Sequence, residues 1–157
     1  MGRTLERVGD TWSLMILRDA LQGLTRFDQF EKSLGVAPNI LTRRLSALVE
    51  DGFLERRPYQ QRPVRHEYVP TDLARDFAPV MTALMAFGNR HYAVEGAATQ
   101  IVEAASGRVV EPVMVDRDTG LSIDDPRFTV AAGPAAGEAT RARLAQVAAR
   151  RPEGELP

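Results

Sequence analysis

Cysteine is absent from the 157-residue chain. Disulfide bonds, thiolate metal sites and thiol redox sensing by this chain are therefore excluded. Long hydrophobic runs are missing too, because stretches such as residues 14–17 and 113–115 fall far short of the ~20 residues that a membrane span needs. The first residues also lack the basic-then-apolar layout of a signal peptide. The sequence thus predicts a soluble cytoplasmic protein with no membrane partner.

Histidine is scarce, and His66 and His91 are the two present. Neither has a catalytic motif around it, whereas a hydrolase or transferase needs a nucleophile with a neighbouring base. A glycine-rich phosphate loop and the H-E-x-x-H spacing are also missing. The sequence therefore predicts that the protein is not an enzyme and carries no cofactor.

Positive charge is concentrated in one part of the chain. The net charge is −1 and the isoelectric point is about 6.1, which gives no global signal of nucleic-acid binding. Residues 38–66, however, contain six arginines and three acidic residues. Charges act over a Debye length of roughly 8–10 Å, so a local basic face is enough to attract phosphate.

Apolar spacing predicts a mainly α fold with a small β-ribbon. A helical pattern over residues 2–24 is interrupted at Gly9 and Asp10, and a short helix ends near Gly35. An amphipathic helix over residues 38–51 begins with Pro38. The remaining predicted elements are a strand at 53–57, a loop at 58–63, a strand at 65–69 and a long helix from the N-cap Thr71 to about Tyr92, kinked or frayed in its first half by Pro79.

The long helix carries an apolar seam. Its members recur at alternating steps of four and three residues, as in a coiled coil. They are Leu73, Phe77, Val80, Leu84 and Phe87. Exposed on a monomer they would form a large apolar patch, so the spacing predicts a homodimer.

This order of elements is that of a winged helix-turn-helix, in which the helix over 38–51 enters the major groove and the ribbon reaches a neighbouring backbone. The buried stripe of that helix predicts which side chains face outward. The expected DNA contacts on the helix are Asn39, Thr42, Arg43, Arg44 and Ser46. Asparagine pairs with adenine and arginine with guanine, while serine and threonine often hold phosphate. The alternative is that the arginines form an ordinary solvated face.

Arginines also flank the ribbon loop. Alternate residues of a strand share a face, so not all of them point at DNA. We expect Arg62 and Arg65, and after them Arg57, to contact DNA. The alternative for Arg57 and its neighbour Arg56 is a salt bridge with Glu55 or Glu67.

Several segments in register resemble the HxlR-type helix-turn-helix transcriptional regulators. The matching segments are residues 9–14, 16–21, 26–27, 41–45, 48–54 and 65–68, within a resemblance that covers about residues 3–93. It implies a bacterial homodimer that binds an operator sequence-specifically. It also implies that the first and last helices of the domain form the dimer, which adds Leu5 to the interface.

The remaining residues, 94–157, are predicted to form a small α+β extension. Family members with such a tail often have a cysteine-rich zinc ribbon, and here Glu95-Gly96 and residues 103–107 occupy the corresponding stretch after His91. One histidine and scattered carboxylates make a poor zinc site, so no metal is expected. Strands at 109–115 and 128–131, a helix at 140–151 and disorder over 150–157 are predicted.

The sequence leaves alternatives open. A winged-helix module that serves protein–protein assembly without specific DNA binding is the competing function. Trp12, Phe27 and Phe30 could line an effector pocket against the long helix or simply form the core. The operator, the regulated genes, the sign of regulation and any effector are not specified.

Overall fold

The computed structural model describes residues 1–149 and divides into two compact units, Met1–Pro112 and a second that begins at Val113. The first unit contains α1 (Gly2–Val8), α2 (Thr11–Leu21), α3 (Phe27–Leu34), α4 (Pro38–Glu50), β1 (Leu54–Gln61), β2 (Val64–Pro70) and α5 (Asp72–Tyr92). The second contains α6 (Glu138–Ala149). The predicted order of helices and the two-stranded antiparallel ribbon are confirmed. None of the described helices is long and apolar enough to cross a membrane.

The break between α1 and α2 has a steric cause. Gly9 donates its N–H to Leu5 O, and a Cβ at this position would lie 2.3 Å from the same oxygen. Only glycine fits such a close approach. Asp10 then caps α2, because its side chain accepts a hydrogen bond from Ser13 N.

The turn between α3 and α4 and the end of α4 use the predicted residues. Gly35 ends α3 in the left-handed region, with φ at 59°, and Pro38 opens α4. At the other end, Gly52 has φ at 78° and Phe53 N donates to Leu48 O, which is a Schellman closure. These caps fix both ends of α4 in the chain.

The core packs the inner faces of the helices against the base of the ribbon. Leu41, Leu45 and Leu48 of α4 are fully buried, together with Phe30 of α3. Trp12 and Phe27 pack against this cluster. The aromatic residues that might have lined an effector pocket therefore belong to the core.

The ribbon is longer than the sequence predicted. Residues 58–61 were expected in a loop, but Gln60 pairs with Arg65 and Gln61 with Val64, so the turn shrinks to Arg62-Pro63. A bulge at Tyr59 between the paired residues accommodates this register. The predicted loop at 58–63 is therefore wrong.

Helix α5 runs unbroken through Pro79. Thr71 secures its start by accepting from Ala74 N and donating to Gly52 O, 2.7 Å away. The predicted fraying of the first half is wrong, because this cap ties it to the end of α4.

Beyond α5, the chain returns onto that helix. Asn89 Nδ2 donates to Thr99 O at 2.9 Å, and Arg90 pairs with Glu111. These contacts keep residues 94–112 with the first unit. The division predicted at residue 93 follows a change in composition, not these contacts.

In the described residues after α5, the two strands predicted at 109–115 and 128–131 do not form. Val109 and Val115 make separate single bridges, to Val102 and Ser122, with Pro112 between them lacking an N–H. Residues 128–131 have no strand partner. The predicted helix at 140–151 appears as α6, although Arg150 and Arg151 lie outside the described residues, as does the predicted disorder over 150–157.

Candidate nucleic-acid interface

The outer face of α4 is polar and open to solvent. Asn39, Thr42, Arg43 and Ser46 are all exposed, on the side of the helix opposite the buried leucines. The Thr42 hydroxyl donates to Pro38 O at 2.8 Å, and Asn39 Oδ1 accepts from Ile40 N at 2.9 Å. The amide nitrogen of Asn39 and the guanidinium of Arg43 make no side-chain hydrogen bond within residues 1–149. Their donors are therefore available to a ligand.

Arg44 occupies a different environment from Arg43. Its side chain is 30% exposed, and Nε lies 3.1 Å from Asp10 Oδ1 at an angle that falls short of a hydrogen bond. The pKa of Asp10 is lowered: burial opposes ionisation, but hydrogen bonds from Ser13 and the charge of Arg44 outweigh it. Arg44 thus ties α4 to the cap of α2, and its predicted DNA contact competes with this ion pair.

The ribbon arginines also fall into two groups. Arg57 Nη2 lies 2.6 Å from Glu55 Oε2, and this hydrogen bond lowers the pKa of Glu55. Arg56 Nη2 lies 3.0 Å from His66 Nδ1. The salt-bridge alternative therefore holds for Arg57, with Glu55 as the partner, whereas Arg56 contacts histidine.

Arg62 and Arg65 form the second group. Arg62 is in the two-residue turn at the ribbon tip, and Arg65 is the third residue after it, at the start of β2. Both are exposed, and neither makes an ion pair with another described residue. Together with Arg43 they are the predicted DNA contacts whose charge is not already engaged.

Sequence reasoning missed one contact at the ribbon. The guanidinium of Arg26, at the start of α3, lies 4.7 Å from the centre of the Tyr59 ring. The backbone of Arg26 also forms an isolated antiparallel β-bridge with the backbone of Glu67 in β2, so the start of α3 is attached to the ribbon. The aromatic residue after Pro58 was the available signal, but its position depends on a bulge that the sequence does not reveal.

The predicted dimer residues are mostly exposed. Leu73, Val80, Leu84 and Phe87 are about half exposed on α5, and Leu5 is exposed on α1. Phe77 differs, because its ring packs edge-on against Phe53 with centres 5.9 Å apart. Phe77 is therefore partly used within its own chain.

Hydrogen bonds between side chains close two turns that follow α5. Ser106 Oγ donates to Glu103 Oε2 at 2.6 Å, and in a second turn of the same pattern Thr119 Oγ1 donates to Asp116 Oδ2 at 2.7 Å. Across residues 1–149 no three histidine or carboxylate side chains are grouped to hold a metal ion.

The helix pair α3–α4 followed by the β1–β2 ribbon defines a winged helix-turn-helix domain. The profile of the HxlR-like helix-turn-helix family matches residues 7–95. The chain belongs to this family and is a transcriptional regulator with a helix-turn-helix domain.

Individual relatives agree with this assignment. An uncharacterised HTH-type transcriptional regulator of Mycobacterium tuberculosis is 36% identical over 135 residues, which cover 85% of each chain. A solved structure from Pseudomonas aeruginosa, described as that of a transcription factor, is 56% identical with a TM-score of 0.66 and covers 90% of this chain and 97% of that one. The reduced form of the redox regulator HypR is 26% identical with a TM-score of 0.56, covering 60% and 94%. These relatives are regulators, not enzymes.

Proposed function

We propose that the protein is a homodimeric, sequence-specific DNA-binding regulator that acts on an operator in the bacterial cytoplasm. Helix α4 lies in the major groove, where Asn39 and Arg43 contact base edges. The ribbon tip, with Arg62 and Arg65, contacts phosphate beside the groove. Ser46 and Thr42 support the backbone contacts.

The observation that carries this proposal is the division of the arginines into engaged and free side chains. Arg44 and Arg57 are paired with carboxylates, whereas Arg43, Arg62 and Arg65 are exposed with no ion-pair partner among the described residues. Leaving DNA-facing charges unpaired keeps them available for phosphate and for guanine. An assembly module has no need for three such charges on one helix and ribbon.

The homodimer rests on the exposed apolar stripe of α5. Val80, Leu84 and Phe87 are about half exposed and follow one another at steps of four and three. A symmetry mate would bury the stripe and remove the apolar patch from water. Two copies of α4 would then read half-sites about one helical turn, roughly 34–36 Å, apart.

Replacing Arg43 by alanine tests the base-reading role. We expect the affinity for the operator to fall by about 1–3 kcal/mol and base preference to relax at one position, with little change on random duplex. Titrating both duplexes with wild type and variant measures this. The matched control is Arg127→Ala, an exposed arginine of the second unit that pairs with Asp125. Equal weakening on both duplexes would make Arg43 a backbone contact, and no binding by wild type to any upstream duplex would favour the assembly module.

Replacing Val80 by glutamate tests the dimer. A charge in the seam is costly to bury, so the variant is expected to sediment as a monomer at concentrations where wild type is a dimer. Arg75→Glu, at an exposed position of the same helix, is the control and should not change the sedimentation. A dimeric Val80→Glu variant would show that this interface is wrong.

A further inference from the structure

A cavity lies between α2 and α5, away from the aromatic core residues. Its volume is about 440 Å³, within the roughly 300–1,000 Å³ typical of small-molecule sites. Residues 11–21 of α2 and its C-cap Gln22 supply one wall, residues 78–85 of α5 supply the other, and Thr99 closes one side. Thr99 is held there by its hydrogen bonds with Asn89 and Met85.

The lining of the cavity is apolar and adaptable. Three of the five methionines of the chain, Met15, Met81 and Met85, meet here beside Leu14. Unbranched thioether side chains repack easily around ligands of different shape and make favourable contacts with aromatic rings. Such a lining favours an apolar, ring-containing molecule.

The charge of the cavity restricts the ligand further. Arg18 is the charged residue among those lining it, and its Nε and Nη2 lie 2.8 and 2.7 Å from Oδ1 of the buried Asp19. Because this cation is already neutralised on its own helix, the cavity has no free charge to pair with an ionised ligand. The side chains of Thr11, Thr82 and Gln22 remain to hydrogen-bond one polar group.

From these features we propose that the α2–α5 cavity binds an uncharged, largely apolar small molecule that carries a hydroxyl or carbonyl group, and that this ligand regulates DNA binding.

The two walls connect the cavity to both parts of the proposed function. Helix α2 begins at Asp10, which pairs with Arg44 of α4. Leu84 lines the cavity and also belongs to the exposed stripe of α5. A ligand that separates α2 from α5 thus shifts the helix that anchors α4 relative to the helix of the dimer seam. A ligand with different affinities for the two arrangements shifts the equilibrium between them and so changes DNA affinity, by at most the ratio of its two affinities.

Nile red, an uncharged dye that fluoresces in apolar surroundings, serves as the probe. We expect saturable binding of one dye per chain of the full-length protein, and weaker binding of the anionic dye anilinonaphthalene sulfonate. Ala78→Trp and, independently, Thr82→Trp fill the cavity and should each weaken Nile red binding by at least about tenfold. Ala104→Trp, at an exposed turn of the same unit, should leave it unchanged. Circular dichroism melting checks that each variant is folded.

Three results would overturn the cavity assignment. The first is Nile red binding that survives both filling variants, which would place the dye on the exposed stripe. The second is anionic dye binding as tightly as Nile red. The third is a combined result in which wild type does not bind the dye and Ala78→Trp sediments differently from wild type. That result would identify a second copy as the occupant of the cavity.

The regulatory half of the proposal rests on the proposed DNA-binding function. We expect saturating Nile red to change the operator affinity of wild type by about threefold or more, and to leave that of Ala78→Trp unchanged. Dye binding without any effect on DNA affinity would overturn the regulatory role. If wild type binds no DNA, the proposed function fails, while the dye titrations still decide whether the cavity is a ligand site.

Discussion

Each of the two compact units of this protein is stabilised internally by a different kind of interaction. Twelve hydrophobic residues are buried in the first unit, all between Val8 and Ala74. No residue of the second unit is buried within its described part, 113–149. Its turns are closed locally instead, by Thr119 on Asp116 and by Arg127 on Asp125 at 2.7 and 2.8 Å. Burial therefore fixes the geometry of the helices and of the ribbon base in the first unit, whereas hydrogen bonds between close neighbours shape the second unit.

The largest effect is expected when a buried side chain in the core of the first unit is shortened. Leu45→Ala removes a fully buried side chain of α4 and should lower the free energy of unfolding by about 2–5 kcal/mol. Urea denaturation followed by the fluorescence of Trp12, the single tryptophan, reports on this unit.

The matched change in the second unit is Leu144→Ala on α6. Leu144 is only half-buried, so the free energy of unfolding that Trp12 reports should stay within about 0.5 kcal/mol of wild type. Equal shifts from the two leucine replacements would contradict the contrast between the units.

A smaller effect is expected at Asp10, which both caps α2 and pairs with Arg44. Asp10→Ala removes both interactions, whereas Asp10→Asn keeps a good cap and loses the ion pair. Asp10→Ala should therefore be less stable than Asp10→Asn by about 1 kcal/mol in urea denaturation. Identical losses would show that the ion pair, and not the cap, carries the effect.

The pH dependence of the same pair has a defined sign. The pKa of Asp10 is lowered in the folded protein from its ordinary 3.8, so its stabilisation is present above that value and is lost as the pH falls toward the folded pKa. The stability difference between wild type and Asp10→Asn should consequently shrink below about pH 4. A difference that grows on acidification would reverse the assignment.

The smallest effect is expected in the second unit, at Asp125. Hydrogen bonds from the side chain and backbone of Arg127 lower the pKa of Asp125 to about 2. An NMR titration should find this value in wild type and a rise toward the ordinary value in Arg127→Ala, without a change in the Trp12 transition. A pKa of Asp125 that is the same in wild type and in Arg127→Ala would show that this turn is not formed in solution.

The fold of the first unit was predictable because several local signals agree. Gly35 and Pro38 delimit the turn, and the spacing of Leu41, Leu45 and Leu48 sets the inner face of α4. The ribbon loop was mispredicted because a bulge at Tyr59 changes the register, and such a bulge has no reliable sequence signal. In the tail, valine-rich segments suggested strands, but strands form only where a partner is available.

The residue types of the candidate site were predictable from the sequence, but which of its arginines pair with a carboxylate was not. Arg43 and Arg44 are adjacent in sequence, yet only Arg44 lies near Asp10. Arg57, a predicted DNA contact, forms an ion pair with Glu55. Which arginine finds a carboxylate depends on tertiary placement and strand direction, which the sequence pattern does not specify. The α2–α5 cavity was missed because it depends on how two helices that are distant in sequence pack against each other.

We propose that the unpaired arginines, and not the paired ones, contact DNA. The most direct test compares Arg62→Ala with the double variant Glu55→Ala/Arg57→Ala, which removes the ribbon ion pair without changing the net charge. The measurement is the slope of log affinity against log salt concentration on one duplex. We expect Arg62→Ala to lower the magnitude of the slope by about one per chain and the double variant to leave it unchanged. A slope that falls for the double variant and not for Arg62→Ala would show that the paired arginine, and not the unpaired one, contacts DNA.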